Sequence, residues 1–435
     1  MRFNYSNSQT DPKDIEKTAK KLKDYIKFLN KVVEDNEYSK DEASIILPFD
    51  DNLHEEIKRL VSVKCNDSLK YIIDIGIGGS NLGTKAIYDS LLGFSDILEP
   101  DRFPKIIFAD TVDPEFLEKI GNFLRSISSG NEILINAISK SGTTTETITN
   151  LEIILENLNI ENKFSRLVLT TDAGSKLDAR AKELGITTLN IPKTVGGRFS
   201  VFSSVGLFPL LASGINIDFL LDGARNIIHR SLNDDTLSNP SLISAIILYH
   251  QLQNGKIICD NFFFHPEMES IGKWYRQLMG ESLGKEKDLK GRTVNSGITP
   301  TVSLGSTDLH SMAQLYFGGP KDKVTTFVYT SQINGNPTLP LDGEFQNLVD
   351  GISGKSAYEL MSAIYMGVKQ TYIKREIPFM EVILEDISEK SLGQYLQFKM
   401  IEMMYLGKLL NLNTFDQPNV EEYKIETKKI LNSSM

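Results

Sequence analysis

Apolar positions along this chain follow two rhythms, and the switch between them divides it. From residue 11 to about 60, Leu22, Ile26, Leu29 and Val33 recur at helical spacing among Lys, Glu and Asp, which predicts a helical N-terminal segment, residues 1–65. From Tyr71 onward short apolar runs alternate with amphipathic stretches, the pattern of a parallel sheet covered on both faces by helices. Strands are predicted at Tyr71–Ile75, Lys105–Ala109, 132–138 and 166–171, and helices at 86–92, from 148 onward, at 175–184 and at 201–212. The polar stretch 214–240, with its Asn239-Pro240 pair, reads as a boundary. A second series then repeats the rhythm: strands at 256–264, 300–305, 324–330 and Phe379–Leu384, helices at 242–252, 271–279, 357–373 and 392–412. The fold class is therefore α/β, in two halves, 66–220 and 221–410, followed by a C-terminal segment, 411–435.

Composition narrows the function more than the fold. The 435 residues are 40% hydrophobic and 24% charged, as in an ordinary globular protein, and long enough for two or three cores. A formal net charge of -10 argues against wholesale binding of nucleic acid or anionic membrane and leaves room for a local pocket for a small anion. Two cysteines, Cys65 and Cys259, give neither a disulfide framework nor metal-ligand spacing. The opening MRFNYSNSQT has no apolar run of signal-peptide kind, so a cytoplasmic protein is expected.

Three loops carry candidate chemistry. In YIIDIGIGGSNLGTK, residues 71–85, a buried-type strand runs into Gly76, Gly78, Gly79 and Ser80, where backbone N–H groups at a helix start suit an anion. Asn81 occupies the place of the third glycine of a dinucleotide fingerprint, and Thr84-Lys85 reverse the order that a P-loop requires. An anion turn and a plain strand-to-helix turn both remain open. Residues 139–146, SKSGTTTE, set Ser139, Lys140, Ser141 and Thr144 before another apolar helix. Capping with Glu146 in a capping box would need one hydroxyl, so a phosphate clamp is the favoured reading. In IPKTVGGRF, Gly196-Gly197 before Arg198 suggest a backbone kept thin so that the guanidinium reaches a partner, with a surface arginine after a turn as the alternative. Glu281 ends an apolar helix, as a general base in a closed pocket or a solvated helix-end acid would, and His310 follows a Gly-Ser-Thr turn, suited to a cleft or to a structural role. Neither HExxH, CxxC nor GxSxG is present.

With the C-terminal FDQPNVEEYK, residues 415–424, these loops resemble the glucose-6-phosphate (phosphoglucose) isomerase family in its bacterial short form. The resemblance runs over residues 70–425 through GIGGS at 76–80, SKSGTTT at 139–145, GGRFS at 196–200 and GES at 280–282. It implies two sugar-isomerase α/β/α sandwiches with mainly parallel sheets, a homodimer or higher oligomer, and interconversion of glucose 6-phosphate and fructose 6-phosphate in glycolysis and gluconeogenesis without metal or other cofactor. Isomerases of mannose 6-phosphate or an amino-sugar phosphate, and a non-catalytic sugar-phosphate sensor, are the alternatives. By resemblance, Ser80, Ser139, Ser141 and Thr144 hold the sugar phosphate with Lys140 beside them, Gly79 also binds the substrate, and Gln277 and Gln417 contact the sugar or the base. Glu281 moves the proton through a cis-enediol, Arg198 stabilises the charge that develops, and His310, reaching in from a neighbouring subunit, and Lys424 assist ring opening. The motif usually has glycine where Asn419 stands, and asparagine is expected to keep that turn by tolerating positive φ. Lys408, in another Gly-Lys pair, is read as a decoy.

Overall fold

The computed structural model describes residues 1–433. The chain begins with a short strand, β1 (Arg2–Asn4), and then builds two five-stranded sheets. The first holds β2 (Tyr71–Ile75), β3 (Lys105–Ala109), β4 (Ile133–Ile138), β5 (Leu167–Thr171) and β6 (Thr187–Asn190), all parallel, in the order β3-β2-β4-β5-β6. The second uses β7 (Ile258–Phe263), a separate antiparallel hairpin β8 (Lys285–Lys287) and β9 (Thr293–Ser296) lying outside it, then β10 (Thr299–Leu304), β11 (Lys323–Thr330) and β12 (Phe379–Leu384). Its order is β1-β12-β11-β7-β10, with β1 alone antiparallel. Every residue of β4 is buried, as a strand covered on both faces requires.

Helices cover both sheets. Pro114–Arg125, Thr145–Asn157 and Lys176–Leu184 close one face of the first sheet over a core of Ile73, Ile135, Leu151 and Leu169. A larger core runs between the halves, from Leu134 and Val168 through Phe208 and Trp274 to Val328 and Met403. Aromatic packing around Phe327, Tyr365 and Tyr372 fills the outer face of the second sheet.

Residues 214–240, expected as a polar boundary, are mostly the helix Ile217–Ser231. It lies against the long buried helix Glu389–Leu410 so closely that a Cβ on Gly223 would fall 2.0 Å from the Lys390 carbonyl oxygen, and one on Gly393 would fall 2.0 Å from that of Leu220. Small residues at the crossing permit this contact. β1 and the β8–β9 hairpin were not expected, and the helix predicted at 271–279 extends over Glu269–Leu283.

Candidate active site

The three glycine and hydroxyl loops form one contiguous wall. A Cβ on Gly79 would fall 2.2 Å from the carbonyl carbon of Gly197, so the two loops touch backbone to backbone and only glycine fits at position 79. The close approach that these glycines allow is thus between loops. Gly78, at φ +62°, brings the same turn to the helix Glu269–Leu283, where its Cβ position lies 3.0 Å from Gln277 Nε2. Lys140 donates to the carbonyls of Lys193 and Val195, both at 2.7 Å, which ties the hydroxyl loop to the segment entering Gly196-Gly197. Burial lowers the Lys140 pKa from its ordinary value.

In the second loop, the buried Ser139 hydroxyl lies 2.9 Å from that of Thr144 and accepts the Thr144 N–H at 3.3 Å. The Ser141 hydroxyl lies 3.2 Å from that of Thr143 and accepts the Thr143 N–H at 3.3 Å. Thr144 is the N-cap of Thr145–Asn157 and makes no side-chain cap bond, so the hydroxyls are not spent on capping and the first-turn N–H groups keep their anion-binding capacity. Ser80 is half-buried at the end of the turn Gly78–Ser80. Next to it, both polar atoms of the buried Asn81 carboxamide lack a protein partner, a feature that sequence reasoning missed. Lys85 is used locally, 4.6 Å from the Phe108 ring centre and 3.5 Å from Asp89.

Glu281 sits inside the last turn of its helix, one turn after Gln277, and this spacing puts both side chains on one face. Gln277 Nε2 donates to Glu281 Oε1 at 3.0 Å, and Arg198 Nη1 donates to Oε2 at 3.0 Å, while 31% of the glutamate side chain stays open to solvent. Arg198 is buried, and its partners engage all three guanidinium nitrogens. Nε donates to Ser282 Oγ at 3.0 Å, Nη1 also to Gln417 Oε1 at 2.9 Å, and Nη2 to the carbonyls of Thr414 at 2.5 Å and Asp416 at 3.0 Å. Burial lowers its pKa, opposed by the nearby Glu281 carboxylate. Arg198 is therefore the hub that fastens the segment around Gln417 to the helix of Glu281.

Lys285 was also missed. Its side chain is buried, and Nζ donates to the carbonyls of Glu281 at 2.7 Å and Asp416 at 2.5 Å and pairs with the Asp416 carboxylate at 3.1 Å. Its signal was its place one turn after Glu281, in GESLGK, where a lysine ordinarily reads as solvated.

Two expected residues stand apart within the single chain. His310 is exposed just after the turn Thr307–Leu309 and its ring has no partner among the described residues. Lys424 pairs with Glu421 at 2.7 Å on the helix Glu421–Ser433, which has no buried residue. Asn419 corrects an expectation: it lies in the tight turn Pro418–Val420, where φ is negative and no left-handed residue is needed, and it donates to Glu286 at 3.4 Å. Lys408 lies over the Tyr25 ring at 5.2 Å. Among the described residues no three His, Cys, Asp or Glu side chains converge as metal ligands, and no helix is long and apolar enough to cross a membrane.

Two mainly parallel sheets with polar loops at the carboxyl ends of their strands define an α/β protein. Within that class, the chain belongs to the phosphoglucose isomerase family, whose model matches residues 52–435. It is 35% identical over 372 residues to the glucose-6-phosphate isomerase of Carboxydothermus hydrogenoformans, covering 84% of this chain and 79% of that protein. Identity to the glucose-6-phosphate isomerase of Methanocaldococcus jannaschii is 33% over 379 residues, 87% and 88% of the two chains. Among solved structures, a hypothetical protein from Thermus thermophilus matches with a TM-score of 0.85 and 28% identity over 99% of both chains. A glucose-6-phosphate isomerase from Chlamydia trachomatis shares the fold, with a TM-score of 0.82 and 19% identity over 99% of this chain and 88% of that one.

Proposed function

We propose that this protein is an aldose–ketose isomerase that interconverts glucose 6-phosphate and fructose 6-phosphate. The observation that carries the reading is the Glu281 carboxylate, held at both oxygens by Gln277 and buried Arg198 yet open to solvent, beside the wall formed by the glycine and hydroxyl loops. Ser80, Ser139, Ser141 and Thr144, with the first-turn N–H groups of Thr145–Asn157, hold the phosphate. Phosphate binding orients C1 and C2 against Glu281, so binding energy from a non-reacting group lowers the barrier to proton transfer. Glu281 removes the C2 proton of the opened aldose to give a cis-enediolate with its charge on O1, the C2 hydroxyl proton passes to O1, and the same carboxylic acid returns its proton to C1 as the carbonyl forms at C2. Arg198, 3.0 Å from Glu281 Oε2, adds positive potential where the enediolate charge develops.

The same proposal places two copies in the working enzyme. Exposed His310 completes the partner's site and opens the sugar ring together with Lys424, and the second copy covers the apolar Tyr423, Ile425, Ile430 and Leu431 of the C-terminal helix. The division 66–220 and 221–410 describes its two sugar-isomerase units, and the cytoplasm is its site of action. The test is an assay of purified protein on glucose 6-phosphate and fructose 6-phosphate beside mannose 6-phosphate and glucosamine 6-phosphate. Turnover of the first pair well above the others, undiminished by a chelator, is expected; preference for another sugar phosphate overturns the substrate, and binding without turnover of any of them would make the protein a sensor.

A further inference from the structure

The opposite end of the second sheet carries a cavity that the isomerase chemistry does not use. It encloses about 310 Å3 where β7, β11 and β12 begin, and it is lined by Lys256, Lys321, Lys323, Lys374 and Arg375 together with Tyr316, Phe317 and Glu376. At about 3.3 Å per residue, the six residues of β7 put it roughly 20 Å from the carboxyl ends of the same strands.

Five cations around one small cavity are unusual in a chain whose formal net charge is -10. Basic residues do favour helix C-termini, and Pro240–Gln253 and Ala357–Lys374 both end here. Their carbonyl ends and that of the short helix Ala313–Gly318 contribute about half a negative charge each, and Glu376 and Asp322 one each, which still leaves a surplus of about one and a half positive charges. Asp322 is already committed: the buried Lys323 donates to it at 2.5 Å and to the Pro320 carbonyl at 2.9 Å. The ammonium groups of Lys321 and Lys374 have no acidic partner among the described residues. Arg375 donates Nη1 to the Phe317 carbonyl at 3.0 Å and lies 5.9 Å from that ring, an arrangement that fixes the guanidinium and leaves its other donors free. Burial, and then the charge of Lys321, lower the Lys256 pKa, opposed by the Asp322 carboxylate.

We infer that this cavity is a second anion site, one that takes a small molecule bearing two or more negative charges on a phosphoryl or diphosphoryl group. Three separate segments supply the cations: Lys256 precedes β7, Lys321 and Lys323 lead into β11, and Lys374 and Arg375 close the helix before β12. Glu376 works against binding from the rim. It holds the left-handed position after that helix at φ +52°, where glycine is the favoured residue.

Calorimetric titration of the full-length protein with inorganic pyrophosphate, in the presence of saturating fructose 6-phosphate to occupy the hydroxyl loops, tests the inference. One pyrophosphate site per chain is expected to remain titratable. The double variant Lys321→Ala/Lys374→Ala should weaken it tenfold or more, Lys374→Arg should retain it, and Glu376→Gly should tighten it, all with the fructose 6-phosphate dissociation constant and thermal stability of the double variant near those of the parent. The inference is overturned if fructose 6-phosphate abolishes all pyrophosphate binding, if the double variant binds as the parent does, or if only a long polyanion such as heparin binds. These readouts do not require turnover, so they stand apart from the proposed isomerase activity.

Discussion

Replacing Arg198 by lysine keeps the charge and removes the geometry, and its cost can be worked from the contacts. The guanidinium serves Ser282 Oγ, Glu281 Oε2, Gln417 Oε1 and the carbonyls of Thr414 and Asp416. Lysine has three donors on one nitrogen, so at least two of these acceptors lose their bond in a site where the arginine side chain is 1% exposed. At about 1.5–3 kcal/mol for each orphaned charge-assisted bond, the loss is about 3–6 kcal/mol. An unfolding entropy of about 2.1 cal/mol/K per residue gives about 0.9 kcal/mol/K for 435 residues, so Tm should fall by about 3–7 °C if the chain unfolds as a unit. Gln417 and Glu281 would shift with the loosened segment, and a displacement of about 1 Å lowers kcat by about 100-fold. Scanning calorimetry and steady-state assays of Arg198→Lys measure both effects. A Tm within 1 °C of the parent's, on the precision expected of such scans, together with unchanged kcat, would refute the role of Arg198 as the hub.

Asp74, buried in β2 and bonded by Asn136 at 2.7 Å, has a pKa pushed up by burial to about 7. Its protonated form is favoured in the fold, so its contribution is fully present below pH 3.8, the ordinary value, and is lost as pH rises toward 7, by about 4 kcal/mol in all. Stability of Asp74→Asn, followed by denaturant unfolding between pH 4 and 8, should fall less steeply than that of the parent; parallel curves would contradict the shift. Ser141→Ala and Thr144→Ala should raise KM for fructose 6-phosphate by about tenfold for each lost bond to phosphate of about 1.4 kcal/mol, and should leave the slow reaction of unphosphorylated fructose alone. If His310 acts across a dimer interface, mixed dimers of Glu281→Gln and His310→Ala chains hold one complete site of two, and random mixing should restore about a quarter of parental activity. Silence of the mixture would exclude the shared site.

Buried parallel strands were legible because both faces are apolar: β2 and β4 announce themselves as Ile-rich runs. The three-residue β1 is too short to show alternation, and the hairpin strands KEK and TVNS are polar because their faces meet solvent. The helix Ile217–Ser231 was hidden by its flanks. Gly214 and Asn216 mark a turn, and Asp222, Arg225 and Arg230 obscure the apolar face of Leu220, Leu221, Ala224, Ile227 and Ile228, which only the partner helix explains. Glu281, Arg198 and Gln417 are 83 and 219 residues apart in pairs, so no local pattern joins them, and family resemblance supplied what spacing could not. Lys285 escaped notice because burial decides whether a lysine is solvent or scaffold, and one sequence does not show burial.

The central claim is that Glu281 carries the proton. Glu281→Gln preserves the size of the side chain and an acceptor for Arg198 while removing the base, so turnover of fructose 6-phosphate should fall by about 10²–10⁴-fold while the dissociation constant of the sugar phosphate stays close to that of the parent. Isomerisation by this variant within tenfold of the parental rate, with the fold intact by calorimetry, would contradict the account.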